Sequence, residues 1–198
     1  MKEKIIIESM QLFFRYGLKS ITMDDIAKEL GISKKTLYQH FENKNELLLA
    51  CMEEHDCKEK QILKSYQESS ANAIDEMLQI ANHVEKMLKM VSPSLIYDVQ
   101  KYYKDAWVKM KKIHSKDIYL EIKANIERGI QEGLYRNDFD IDIISKIYVQ
   151  SSKLGFNPEF FPTPDYDINL IFKQNIEYHL HGIVSPKGLA VLKQMSLN

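Results

Sequence analysis

The sequence predicts an all-α protein of about nine helices, arranged as a small N-terminal module and a larger helical domain. Only 7 Gly and 5 Pro interrupt the 198 residues. Between them, apolar residues recur at a spacing near 3.6 and not in strict alternation, which favours amphipathic helices over strands. With 44% hydrophobic and 28% charged residues, the composition is that of a folded chain with a real core.

The first two helices are predicted from their apolar spacing and their end signals. Apolar residues from Ile6 to Phe13 form one stripe, and Gly17 supplies a left-handed C-terminal cap. Thr22 begins the second helix, with Asp25 three residues later as its capping-box partner. This helix ends after two turns at Gly31.

Two further helix starts follow closely. Ser33 caps a third short helix, and Asn43 with Glu46 caps a much longer fourth. We place a domain boundary inside this fourth helix, which gives a module over residues 1–50 and a helical domain over 51–198. The fourth helix then connects the two parts rigidly.

The larger domain is predicted to consist of long amphipathic helices, with a loop at 156–164 before the last one. Each apolar stripe marks one helix and requires a packing partner. The stripes are Met77, Ile80, Val84, Met87 and Val91; Ile113, Leu120 and Ile126; Ile144, Ile147, Tyr148, Ser151 and Leu154; and Ile168, Phe172, Ile176, Leu180 and Ile183.

Residues 22–41 meet the geometric requirements of a helix-turn-helix. Ala27 provides the small side chain where two short helices cross, and Gly31 provides the turn four residues later. The inward-facing positions are Ile26, Leu30, Ile32, Leu37 and Phe41. Agreement among these positions is stronger support than any single residue.

If Leu37 and Phe41 face inward, the third helix presents two lysines and no acid on its open faces. Such a surface fits the DNA major groove, where Lys, Gln and Thr can contact base edges. We expect Lys34, Lys35, Thr36 and Gln39 to face bases, and Thr22, Tyr38, His40 and Lys44 to contact phosphates. As alternatives, the lysines could form a merely solvated face, Tyr38 could be a core aromatic, and His40 could be an ordinary surface residue.

The first fifty residues resemble the DNA-binding domain of the TetR/AcrR family of transcriptional regulators. The resemblance is carried by Ile6, Leu12, Phe13, Gly17, Thr22, Asp25, Ile26, Ala27, Gly31, Ile32, Ser33, Leu37, Tyr38, Phe41, Lys44 and Leu47, and further along by residues 129–140. Lys35 departs from the pattern, since a small residue is frequent there. The resemblance implies a homodimeric regulator, usually a repressor that leaves a near-palindromic operator when a small molecule binds.

A region rich in Met and aromatic residues predicts a pocket for a small apolar or amphipathic ligand, because thioethers and rings suit an adaptable cavity. The candidate lining residues are Met77, Val84, Met87, Tyr97, Tyr103, Trp107 and Met110. At helical spacing, the same residues would also suit an ordinary core.

The last two long helices, near 140–155 and 166–183, predict an isologous dimer interface. Ser151 and Gly155 would permit close approach. The apolar contacts would come from Ile147, Phe172, Ile176 and Leu180. These stripes could instead complete the core of one protomer.

Other functional classes find less support in the sequence. There is no phosphate-binding loop or nucleophile elbow, so we do not expect an enzyme. Cys51 and Cys57 lack further ligands at metal spacing, so we expect reduced thiols, no metal and no cofactor. No apolar run has the length of a membrane span, and we expect a cytoplasmic protein. A helical ligand-binding protein without DNA function and a ligand-dependent activator remain alternatives.

Overall fold

The computed structural model of the protein describes residues 1–157, 159–162 and 165–195. The side chains of Pro93, Ser94, Asp105, Lys109, Met110, Ile113 and His114 lie outside the described set. The helices are α1 (Lys2–Tyr16), α2 (Met23–Glu29), α3 (Lys34–His40), α4 (Lys44–Ser69), α5 (Ala73–Met90), α6 (Pro93–Tyr102), α7 (Lys104–Gln131), α8 (Ile141–Ser151), α9 (Ile168–Ile183) and α10 (Pro186–Met195).

The all-α prediction is confirmed, with ten α-helices and one 3₁₀ turn at Leu154–Phe156 in the described part of the chain, against about nine predicted. The helix α10 was not predicted from the sequence. The helix predicted near 140–155 is shorter than expected, since α8 ends at Ser151. None of the described helices combines the length and the apolar character that crossing a membrane requires.

The helices form two compact units. The first comprises residues 1–61 and 89–113, and the second comprises 62–88 and 114–198. The long helices α4 and α7 each contribute residues to both units. The predicted boundary near residue 50 differs from this division into compact units, and the module over residues 1–50 stays a proposal.

The first unit is built around the core of α1 to α4, to which α6 adds two buried residues, Leu95 and Val99. The Ser92 amide donates to the Phe14 carbonyl oxygen at 2.8 Å. The Lys19 amide donates to the buried Asp98 carboxylate, also at 2.8 Å. The helix α6 is therefore bound to the end of α1 by apolar burial and by two hydrogen bonds.

The second unit has a separate apolar core from α5 and α7 to α10, with a buried polar cluster at one end of α5. The Asn125 amide donates to the Ala73 carbonyl oxygen at 2.9 Å, and the Tyr135 hydroxyl donates to Asn125 at 3.0 Å. Burial raises the pKa of Tyr135 well above its usual range. This cluster fixes the N-terminus of α5 to α7.

Candidate nucleic-acid interface

Local hydrogen bonds cap the N-termini of both α2 and α3. The Asp25 amide donates to Thr22 Oγ1 at 3.1 Å, and the Thr22 amide donates to Asp25 Oδ2 at 2.8 Å. This is the predicted capping box, and it holds the pKa of Asp25 below its usual value. Ser33 Oγ accepts from the Thr36 amide at 3.0 Å. Both predicted helix starts are confirmed.

The crossing of α2 and α3 follows from one small residue and one glycine. Ala27 is buried, and its carbonyl oxygen accepts from the Ile32 amide at 3.0 Å. Gly31 has a φ of 65°, a left-handed conformation that favours glycine. The chain can therefore reverse between α2 and α3 while the two helices stay in contact. Gly17 also has a positive φ of 77°, but its ψ of 166° is extended, so the predicted left-handed cap of α1 is wrong in detail.

The helix α3 presents its polar residues outward. Leu37 and, one turn later, Phe41 are buried in the core of the first unit. Among the predicted base contacts, Lys34, Lys35 and Gln39 are exposed, while Thr36 is partly buried.

Two further predicted contacts lie on the same short helix. Tyr38 is 48% exposed and so is not a core aromatic. His40 is partly buried. The structure thus brings six of the eight predicted DNA contacts onto one short helix.

Four of the predicted DNA contacts already have partners within the protein. The Thr36 hydroxyl is hydrogen-bonded to Ser33 Oγ at 2.8 Å. The Lys34 ammonium pairs with the carboxylate of Asp24 in the first turn of α2. The single hydroxyl proton of Thr22 is donated to Asp25 at 2.6 Å. The Lys44 ammonium donates to the Leu18 and Ile21 carbonyl oxygens.

Lys44 is therefore first of all an anchor of the loop between α1 and α2. Burial lowers the pKa of Lys44, while the nearby carboxylates of Asp98 and Asp25 act in the opposite direction. An ammonium has three N–H donors, and two of them are used by the loop carbonyl oxygens. One donor remains for a phosphate.

The predicted pocket residues are divided between the two units. Met77 is fully buried in the core of the second unit, where Val84 and Met87 are partly buried. In the first unit, Tyr97 is exposed and Tyr103 and Trp107 pack against the core. The side chain of Met110 lies outside the described set.

Two concavities of the second unit are lined by other residues. A groove of about 280 Å³ lies between α7 and α8, beside Tyr119 and Lys146. A crevice of about 10 Å³ lies beside Gly155 and Asn175, just large enough for one water molecule. In the described part of the chain, neither concavity contains a predicted pocket residue.

The predicted dimer residues lie on different faces of α8 and α9. Ile147 is 55% exposed, whereas Ile176 and Leu180 are buried in the core of the second unit. Ser151, Gly155 and Phe172 are partly buried. Because Ile176 and Leu180 are covered by their own protomer, the apolar surface open to a second copy lies elsewhere on these helices.

A short, outward-facing polar helix, locked by a capped partner helix and a glycine turn, defines the protein as a helix-turn-helix protein of the DNA-binding class. Residues 5–51 match the family model described as bacterial regulatory proteins, tetR family. The N-terminal module is therefore a TetR-family domain, and the comparisons support a TetR-family transcriptional regulator.

Similarity to individual proteins covers most of the chain in some cases and about a quarter of it in others. The uncharacterized HTH-type transcriptional regulator YvaF of Bacillus subtilis is 25% identical over 186 residues, which cover 93% of this chain and 96% of YvaF. The biofilm operon negative regulator IcaR of Staphylococcus epidermidis is 45% identical over 47 residues, 24% of this chain and 25% of IcaR. The fold is similar to a transcriptional regulator from Cytophaga hutchinsonii, with a TM-score of 0.73, 17% identity and coverage of 93% and 99%.

Proposed function

We propose that this regulator is a homodimeric repressor that binds a near-palindromic DNA operator through α3 and is released by a small apolar or amphipathic ligand. The observation that carries the proposal is the outward face of α3, where Lys35 and Gln39 are exposed while Leu37 is buried. Members of this family bind DNA operators and small-molecule ligands and are typically dimeric.

The exposed ammonium of Lys35 and the exposed amide of Gln39 are the proposed base-reading groups of α3. Lys35 can donate to guanine O6 and N7, and Gln39 can form a bidentate pair with adenine. Thr36 can pack its methyl group against thymine. Tyr38 and His40, farther along the helix, are assigned to phosphates, which position a protein without reading sequence.

Dimerisation is proposed to use the exposed apolar side chains of α8 and α9. Ile143 and Ile147 on α8 and Leu170 and Tyr178 on α9 all have large exposed fractions, and Tyr178 reaches 82%. The two helices are packed together, with the rings of Tyr148 and His179 at a centroid distance of 4.5 Å. A second copy packed on this face would form a four-helix interface.

The ligand is proposed to bind in the second unit and to act through α4. This helix has 26 residues, about 39 Å at 1.5 Å per residue. Its C-terminal end is clamped by Arg128, whose guanidinium donates to the Gln67 carbonyl oxygen at 3.1 Å and to the Ser70 carbonyl oxygen at 3.0 Å. A ligand near the partly buried Val84 and Met87 of α5 would shift this clamp and tilt α4.

A small shift at the clamp would suffice for release. A tilt of about 5° over the length of α4 displaces its far end by roughly 3 Å, enough to spoil the fit of two helices in successive grooves. A coupling free energy of about 1–3 kcal/mol changes operator affinity by about 5- to 150-fold.

Selection of bound fragments from a random duplex library tests this function. The wild-type protein should enrich a near-palindromic sequence, and the double variant Lys35→Ala and Gln39→Ala should enrich none while remaining a folded dimer. The matched control carries Lys86→Ala and Gln194→Ala, two exposed positions in the second unit, and should select the wild-type sequence. Unchanged selection by the α3 variant would contradict the assignment.

The role of the ligand is tested on the selected operator. Hydrophobic and amphipathic compounds that bind the protein should weaken operator binding. A compound that strengthens it would identify a ligand-dependent activator instead. Tight ligand binding by a protein that has no salt-dependent affinity for any duplex would identify a ligand-binding protein without DNA function.

A further inference from the structure

The first unit carries its excess of positive charge outside the helix-turn-helix. Residues 1–61 contain ten Lys and Arg against eleven Asp and Glu. Residues 89–113, which complete the same compact unit, contain six Lys and only two Asp. The chain as a whole has a net charge of -1. The helix α6 and the start of α7 therefore make the DNA-binding unit basic.

The helix α6 is held firmly against the N-terminal helices. Leu95 and Val99 are buried with Phe13 in one core. Asp98, one of the two aspartates in residues 89–113, is itself buried and accepts the Lys19 amide. Its carboxylate is thus committed to holding the loop between α1 and α2, and it is not displayed at the surface.

Cations and tyrosines alternate on the exposed side of this junction. Tyr97 and Tyr102 are both about half exposed. The Lys101 ammonium lies 2.7 Å from the Tyr97 hydroxyl oxygen and 5.4 Å from the centroid of the Tyr102 ring. The Lys19 ammonium lies 5.7 Å from the same Tyr102 centroid. Lys104, at the start of α7, is also exposed.

We name this surface the α6 patch and define it as Lys19, Tyr97, Lys101, Tyr102 and Lys104. It adjoins two of the predicted phosphate contacts, because Lys19 belongs to the loop that ends at Thr22 and that Lys44 anchors. Except for Lys19, its members lie outside the residues that match the family model.

We propose that the α6 patch is an accessory phosphate-binding surface, which contacts the DNA backbone next to the bases read by α3. Lysine ammonium groups and tyrosine hydroxyl groups are typical phosphate partners, and such contacts position a protein on a duplex. DNA is favoured over another polyanion because the patch belongs to the same compact unit as α3. The inference rests on the proposed DNA-binding function.

The test compares the salt dependence of operator binding in two variants of the full chain. The patch variant carries Lys101→Gln and Lys104→Gln. The control variant carries Lys86→Gln and Lys193→Gln, two exposed lysines of the second unit, and loses the same charge. Each is titrated against the selected operator in a long duplex and in a duplex trimmed to the bases that α3 protects, and circular dichroism confirms folding.

On the long duplex, we expect the plot of log K against log salt to be less steep for the patch variant, with a slope smaller in magnitude by about 2. Each lost phosphate contact contributes about 0.9 to that magnitude. Between 50 and 200 mM salt, wild-type affinity would then fall about tenfold more than that of the patch variant. The control variant should keep the wild-type slope. A variant with Lys101→Arg and Lys104→Arg should also keep it, and the trimmed duplex should abolish the difference.

Several results would overturn the proposal. A patch variant with the wild-type slope on the long duplex would do so, and so would an equal loss of slope in the control variant. If the patch variant keeps its DNA slope but loses binding to phosphatidylserine vesicles, the patch is a membrane-binding surface instead. A wild-type protein that binds no duplex would overturn the proposed function itself, which is a separate outcome.

Discussion

Replacing Arg128 should destabilise the second unit more than replacing any exposed arginine. Its guanidinium donates to Glu76 at 3.0 Å, to Glu132 at 2.8 Å and to Ser70 Oγ at 2.7 Å. The Glu76 side chain is only 6% exposed, whereas that of Arg128 is 27% exposed. The variant Arg128→Met would therefore leave a buried carboxylate without its cation.

The expected loss follows from that unpaired carboxylate. Breaking a buried ion pair by removing one partner costs about 3–5 kcal/mol. For a chain of this length, about 2–4 °C of Tm is lost per kcal/mol, so Tm should fall by roughly 6 to 20 °C. Urea denaturation followed by circular dichroism measures the free energy of unfolding, and calorimetry measures Tm.

Two further variants separate the charge from the packing. Adding Glu76→Leu to Arg128→Met removes the stranded carboxylate and should recover much of the loss, because an apolar pair often replaces a buried ion pair at little cost. The control Arg136→Met breaks an exposed pair with Asp138 and one hydrogen bond to the Gly182 carbonyl oxygen, and it should cost about 1–2 kcal/mol without stranding a buried charge. A loss below about 1 kcal/mol for Arg128→Met, or no recovery on adding Glu76→Leu, would refute this account of the clamp.

Three other perturbations test separate parts of the structure. Burial lowers the pKa of His179 to about 4. Since the unfolded state then binds more protons than the folded state below pH 6.5, the free energy of unfolding should fall by about 2 kcal/mol between pH 7 and 5. Denaturant titrations of His179→Phe should show a weaker dependence on pH. Gly188→Ala would place a Cβ 2.0 Å from a main-chain carbonyl oxygen and should lower the free energy of unfolding by roughly 1–3 kcal/mol. In the control Gly182→Ala the new Cβ meets open space, so the change should be neutral or stabilise the protein by up to about 1 kcal/mol. Equal effects of the two variants in thermal melts would contradict this. Asp24→Asn frees the Lys34 ammonium. If the freed ammonium neutralises one further phosphate, the salt dependence of duplex binding should steepen by about 1 unit of slope. An unchanged slope would show that the pair with Asp24 does not hold Lys34 away from the DNA backbone.

Local chemistry made the helix-turn-helix predictable from sequence. The capping box of Thr22 and Asp25 and the cap at Ser33 each connect residues three apart. The inward positions of Leu37 and Phe41 follow from helical spacing alone. These features need no knowledge of the rest of the fold.

Contacts between distant residues could not be predicted in this way. Asp98 reaches the Lys19 amide across 79 residues, and Arg128 reaches Ser70 across 58. Nothing in either local sequence marks the partner. The docking of α6 on the loop between α1 and α2 is also what places the Lys19 and Lys101 ammonium groups near the same Tyr102 ring.

The dimer face shows a second limit, since periodicity identifies an apolar stripe without showing what covers it. Ile176 and Leu180 form a regular stripe, and the core of their own protomer covers it. Leu170 and Tyr178 lie on the same helix and stay exposed. Only three-dimensional packing distinguishes the two faces of α9.

Interference by guanine methylation on the selected operator tests most directly whether α3 reads DNA. We expect N7 methylation of one guanine in each half-site to block the wild-type protein, since a major-groove lysine donates to that atom. Lys35→Ala should become insensitive at that guanine, while Lys86→Ala should behave as wild type. Interference that is identical in Lys35→Ala and the wild-type protein, or that is confined to the minor groove, would contradict the account.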